Sequence, residues 1–90
     1  VLKMTDDGGE DAKVLAVPVA KVLPMYSNIL KHDDVNELLL RQIQHFFEHY
    51  KDLEKGKWVK IDGWYGVEDA HAEIVAGVEN FNKSEDKPQY

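Results

Sequence analysis

The residues of this chain best suited to chemistry lie close together near its start, in residues 4–13, MTDDGGEDAK. Asp6, Asp7, Glu10 and Asp11 crowd around the pair Gly8-Gly9, and Lys13 closes the run. Carboxylates this close repel one another unless water solvates them or a hard cation shares them. Mg²⁺ suits such a set, because it takes carboxylate oxygens and keeps several of its own waters. The competing reading is structural. Asp-Gly and Gly-Gly are turn sequences, and an acidic hairpin tip is ordinarily just solvated. Lys13 follows Asp11 with one residue between, so on a strand, where side chains alternate, it emerges on the side of Asp11.

A second constellation is His45 and His49, whose i,i+4 spacing lets two imidazoles share a zinc ion on one helix. The stretch HFFEH lacks the HExxH order of a zinc peptidase, and no third ligand is evident. His32 and His71 belong to no recognisable group. Trp58 and Trp64, with Lys60 and Asp62 between them, are expected on one strand face, packing a sheet edge rather than binding a sugar.

The elements that must hold these residues follow from periodicity. Residues 1–5 and 13–17 are apolar runs on either side of the acidic stretch and read as two antiparallel strands, the second ended by Pro18. Residues 21–33 carry Pro24, Ser27 and Asn28 and read as a connector. A helix follows, with Asp34 as N-cap and Glu37 three residues later as a capping box. Val35, Leu39, Ile43, Phe46 and Tyr50 form its apolar stripe, flanked by Leu38, Leu40 and Phe47. Gly56 suits a helix stop, and residues 58–64 alternate as a strand with Val59 and Ile61 facing one way. A second helix is expected over residues 67–81, with Val67, Ala70, Ile74, Val78 and Phe81 on one face. Gly77 costs it roughly 1 kcal/mol relative to alanine. Residues 84–90, SEDKPQY, read as a polar tail. Strands alternating with helices make this a small α+β unit.

Composition narrows the function classes. Ninety residues with a net charge of −6 make one small domain, and a chain this short buries only a little over roughly 60% of its unfolded surface. The acidic balance argues against nucleic acid or an anionic membrane as partner, since both demand a basic footprint. No apolar run is long enough to cross a membrane, and no secretory signal pattern is visible, so a cytoplasmic location is the expectation. Zero cysteines remove disulfides and thiolate metal sites. An acidic protein can still bind a phosphate-rich substrate, because bound cations invert the local charge.

The segment HFFEHYKDLEKGKWVKIDGW, residues 45–64, together with MTDDGGEDAK, resembles the family I soluble inorganic pyrophosphatases, Mg²⁺-dependent enzymes that hydrolyse pyrophosphate to two phosphates. The likeness runs over residues 1–83, which the resemblance marks as the C-terminal part of a single such domain. The chain opens at Val1 rather than methionine, has Asn36 where the family often has proline, and lacks the family's DxDPxD signature and its upstream arginine, lysine and tyrosine. The resemblance implies that the strands belong to a five-stranded OB-like β-barrel with two flanking α-helices. It implies Asp6 and Asp11 as metal ligands, with Mg²⁺ as cofactor and Mn²⁺ or Zn²⁺ as substitutes. It further implies Lys13, Tyr50 and Lys51 as contacts to the phosphates, with Glu10 and Asp7 outside the metal's immediate ligands. No residue of this chain is assigned the catalytic step itself. In bacterial members the helix surface bearing His45 and His49, beside Leu38 and Arg41, meets another subunit, which implies a homo-oligomer, a hexamer for the full-length family. The reading set against part of an enzyme is an acidic interaction module that kept the scaffold without the reaction.

Overall fold

The structure, a computed structural model, describes residues 1–85. Three strands form one antiparallel sheet in the order β2-β1-β3, where β1 is Leu2–Asp6, β2 is Gly9–Lys13 and β3 is Val59–Trp64. Two α-helices complete the α+β unit, α1 over Glu37–His49 and α2 over Val67–Lys83. Short 3₁₀ turns at Pro24–Tyr26 and His32–Asp34 punctuate the connector. Of the expected tail, Ser84 and Glu85 are described, and residues 86–90 lie outside the described residues.

The hairpin departs from expectation in register. Residues 13–17 do not form the second strand. Instead β2 begins at Gly9, directly after the turn, and pairs Asp6 with Gly9, Met4 with Asp11 and Leu2 with Lys13. The acidic stretch is therefore mostly strand, with only Asp7 and Gly8 in the turn. The reversal is completed at Gly9, whose φ of +112° a side chain would strain. The apolar run after Lys13 has β propensity, but among the described residues no strand lies opposite it, and propensity without a partner does not make a strand.

β1 is the central strand and the core. Leu2 and Met4 are buried, Val1 joins them, and Asp6 continues the same face. Pairing across β3 slips by one residue, so that Lys3 faces Gly63 while Met4 faces Ile61. The slip is a bulge, and Gly63 absorbs it with a φ of +127°. Its consequence corrects the reading of the two tryptophans. The bulge turns Trp64 onto the face of Ile61 and Val59, away from Trp58, and Trp64 stacks against His32 with ring centroids 6.2 Å apart.

The start of α1 also differs from expectation. Asn36, not Asp34, is the N-cap, and its side chain accepts from the backbone N–H of Leu38 at 2.8 Å and of Leu39 at 3.4 Å. Asp34 is occupied one turn earlier, taking the N–H groups of Leu30 at 3.0 Å and Lys31 at 3.2 Å. The stripe is rotated as well. Leu40, Ile43, Phe47 and Lys51 face inward, whereas Leu39 and Phe46 are exposed. α2 forms as expected and runs two residues longer, and Lys3 ties its first turn to the sheet by donating to Asp69 at 3.0 Å. Among the described residues no helix is long and apolar enough to cross a membrane.

Candidate metal and phosphate site

Residues paired across an antiparallel ladder share a face. The register therefore puts Asp11 beside Met4 and Lys13 beside Leu2, on the face that carries Asp6. Glu10 pairs with Thr5 and falls on the other face. Asp6 and Asp11 are diagonal neighbours, a relation that separates Cα atoms by roughly 7–8 Å and lets side chains reach a common point. The period-two argument for Lys13 thus holds, and its ammonium lies 3.0 Å from Asp11 Oδ2 and 5.3 Å from the centre of the Phe47 ring.

The inward face of α1 delivers the next component. Lys51 lies on the same inward face as Phe47, one turn further on, and its Nζ donates to Asp6 Oδ2 at 3.0 Å and to Asp7 Oδ1 at 3.2 Å. The other oxygen of Asp6 accepts from the backbone N–H of Gly8 at 2.8 Å. Lys57 donates to Asp7 Oδ2 at 3.2 Å. Two lysines and two aspartates thus form one corner, in which the Asp6 side chain is 10% exposed and that of Lys51 17%. The Lys51 ammonium and the Gly8 N–H hold the Asp6 carboxyl below its ordinary range. Lys57 first, then Lys51, lower Asp7 to about 2. The same hydrogen bonds, led by Asp6, raise Lys51 above the usual lysine value.

Tyr50 ends α1 half exposed, its ring stacked on Phe46 at 5.5 Å and edge-on to Phe47 at 5.7 Å. His45 and His49 lie on the outward side of α1 with centroids 4.4 Å apart, and His49 Nδ1 sits 2.9 Å from Asp52 Oδ2. The sequence reading missed Lys57 and placed Asp7 at the margin. A lysine six residues past Lys51, after a turn marked by Gly56, was the available signal. Among the described residues no three acidic, histidine or cysteine side chains gather closely enough to enclose a metal ion.

The profile described as "Pyrophosphatase: Inorganic pyrophosphatase" matches residues 1–82. The chain belongs to the inorganic pyrophosphatase family. Inorganic pyrophosphatase of Salmonella typhimurium is 61% identical over 83 residues, which are 92% of this chain and 47% of the relative. That of Escherichia coli K12 is 62% identical over 79 residues, 88% of this chain and 45% of the relative. Among solved structures, an inorganic pyrophosphatase from Helicobacter pylori superposes with a TM-score of 0.84 at 38% identity, covering 90% of this chain and 48% of that one. One from Coxiella burnetii gives 0.79 at 52% identity, covering 83% and 45%. The chain spans about half the length of the family members it matches.

Proposed function

We propose that this chain supplies the hairpin and helix components of an active site that hydrolyses inorganic pyrophosphate to two phosphates with divalent cations. The observation that carries this reading is the shared face of Asp6, Asp11 and Lys13, onto which Lys51 arrives from α1. Pyrophosphate is strongly anionic, so a site for it needs hard cations to offset charge and fixed ammonium and hydroxyl donors to hold the leaving phosphate.

The donor set suits such a cation. Asp6 and Asp11 offer hard oxygens, and Asp6 stays ionised well into acid. Two carboxylates per cation, with water and phosphate completing the shell, is the ordinary way Mg²⁺ is bound, and Mn²⁺ or Zn²⁺ would substitute. A cation held by Asp6 and Asp11 would supply Lewis-acid activation of the attacking water. The lysines have a double role in this reading. Lys51 holds the Asp6 carboxyl below its ordinary range and Lys13 stands 3.0 Å from Asp11 Oδ2, and both ammonium groups would be at hand for a phosphate oxygen. Tyr50 adds a hydroxyl donor at the rim, positioned by its stacking on Phe46.

In the whole protein, residues 1–83 would form the C-terminal part of one domain, followed by a polar tail over 84–90. The three strands would be part of a five-stranded OB-like barrel, and the outward side of α1 with His45 and His49 a subunit interface of a cytoplasmic homo-oligomer. The test is a chimaera in which this chain replaces the 79 matched residues of the Escherichia coli K12 relative. Mg²⁺-dependent phosphate release is expected, with Asp11→Asn lowering turnover by about a hundredfold or more and Tyr50→Phe by less. Full turnover in Asp11→Asn would remove the metal assignment. The 90-residue chain alone should show negligible activity, because groups acting as a unit lose nearly everything when one part is gone.

A further inference from the structure

Lys13 and Lys51 are the two ammonium groups that the proposed site offers to phosphate, and they are held in different ways. Lys51 Nζ is fixed between two carboxylates, 3.0 Å from Asp6 Oδ2 and 3.2 Å from Asp7 Oδ1. Lys13 has one carboxylate partner among the described residues, Asp11 Oδ2 at 3.0 Å, and its side chain is 36% exposed. It also stands on β2, an outer strand of the sheet. An ammonium on a flexible four-carbon stem gains little fixity from one exposed ion pair. Meeting a phosphate oxygen at a constant place needs a second restraint.

The second contact of Lys13 is aromatic. Phe47 is half-buried on the inward face of α1, and Lys13 Nζ stands over its ring, 5.3 Å from the centre. That lies within the roughly 6 Å over which the electron-rich face of a ring attracts a cation. Lys13, Ile43, Phe47 and Trp64 line one hollow between β2 and α1, and apolar walls that displace water strengthen such an attraction. The ring is itself braced edge-on by Phe46 at 5.1 Å and by Tyr50 at 5.7 Å. A ring also carries no net charge. It orients the ammonium without neutralising it, as a second carboxylate would, and it does not compete with Asp11 for a divalent cation.

We propose that Phe47 is a positioning residue for pyrophosphate binding, its ring face holding the Lys13 ammonium beside Asp11, where a phosphate oxygen meets it. The inference rests on the pyrophosphatase reading and adds to that site a residue with no polar side-chain atom.

The test uses the chimaera with the Escherichia coli relative and methylenediphosphonate, a hydrolysis-resistant analogue of pyrophosphate, titrated calorimetrically with Mg²⁺ present at neutral pH. Phenylalanines carrying successively more fluorine, placed at position 47, nearly keep the ring's shape while draining electron density from its face. Binding of the analogue is expected to weaken stepwise, to about two- to fivefold at the most fluorinated ring. In turnover, KM should rise while kcat changes less. Phe47→Leu should give a loss of similar size and Phe47→Tyr should keep the affinity, with circular dichroism checking that each variant is folded. In a Lys13→Met background, itself weaker in binding, fluorination should have no further effect, because the ring then has no cation to hold. A ring that served packing alone would show neither the fluorine dependence nor its loss with Lys13.

Analogue binding that stays flat across the fluorinated series, in a chimaera that releases phosphate, overturns this inference and leaves the active-site reading standing. An equal loss on fluorination in the Lys13→Met background overturns it as well, since the ring would then act through another group. Fluorine-dependent binding that needs Lys13, in a chimaera that releases no phosphate, supports the role of Phe47 and counts against the hydrolytic reading.

Discussion

β1 and α2 are written in the sequence with equal clarity and end in opposite circumstances. β1 is five residues long and holds Leu2 at 0% and Met4 at 2% exposure, with a strand on either side. α2 runs for seventeen residues with an apolar stripe and buries none of them, leaving Ile74 and Val78 at 50% and 55%. Each has the periodicity proper to its type. What differs is the neighbourhood: β1 is central in the sheet, whereas α2 lies outside it, tied to β1 at its first turn where Asp69 meets Lys3. A pattern states which face wants cover, and topology decides whether cover exists. Resistance to local opening should therefore concentrate in β1 and its immediate partners.

The strongest way to break this comparison is Leu2→Ala. Deleting a fully buried leucine side chain costs about 2–5 kcal/mol, a large share of the roughly 5–15 kcal/mol that holds a small domain together. Urea unfolding followed by circular dichroism should show a midpoint sharply lowered or a transition lost altogether. A midpoint equal to that of the unaltered chain would mean that β1 is not the core.

How far the sequence was readable follows the same division. The helices, β3 and the placement of Lys13 beside Asp11 were legible because each depends on local period and spacing. The start of α1 was not, because Asp34 and Asn36 are both good caps and the choice was made by a 3₁₀ turn that claimed Asp34 first. The inward face of α1 was misjudged by part of a turn, since Leu39 and Phe46 are as apolar as Leu40 and Phe47 and only the sheet distinguishes them. Residues 13–17 failed as a strand for want of a partner. At the site, Lys13 emerges beside Asp11 as the period of two required, whereas the shared face of Asp6 and Asp11 depends on the hairpin register, which the sequence reading placed differently. The Lys51 and Lys57 contacts to Asp6 and Asp7 span 44 to 50 residues of sequence, which local patterning does not reach.

That corner gives the second test, because it is the charged counterpart of the β1 core and joins the end of α1 to the hairpin. Asp6 and Asp7 both titrate below their ordinary value of 3.8, Asp7 at about 2. A depressed folded pKa contributes stability that is fully present above the unfolded value. It is lost as pH falls through the folded one. Thermal unfolding should thus show Tm nearly level above about pH 5 and falling between about pH 4 and pH 2, with Asp7→Asn making that fall shallower. An identical acid slope in the variant would show that Lys57 and Lys51 do not hold Asp7 in solution.

The smallest expected effect lies on α2, and its smallness is the point. Val78→Ala removes two methyl groups from a side chain already 55% exposed, so little apolar area returns to water. Alanine is also the better helix former, by up to roughly 0.7 kcal/mol, because valine loses χ1 freedom against the preceding turn. The two contributions oppose each other and should leave the midpoint within about 0.5 kcal/mol of the unaltered chain, the range of ordinary surface changes. The same substitution made in the chimaera with the Escherichia coli relative sharpens the comparison. If the added residues cover the α2 stripe, the cost rises toward that of a core truncation. If it stays near zero there, the α2 face is solvent-exposed in the whole protein, and its apolar stripe is not a packing surface at all.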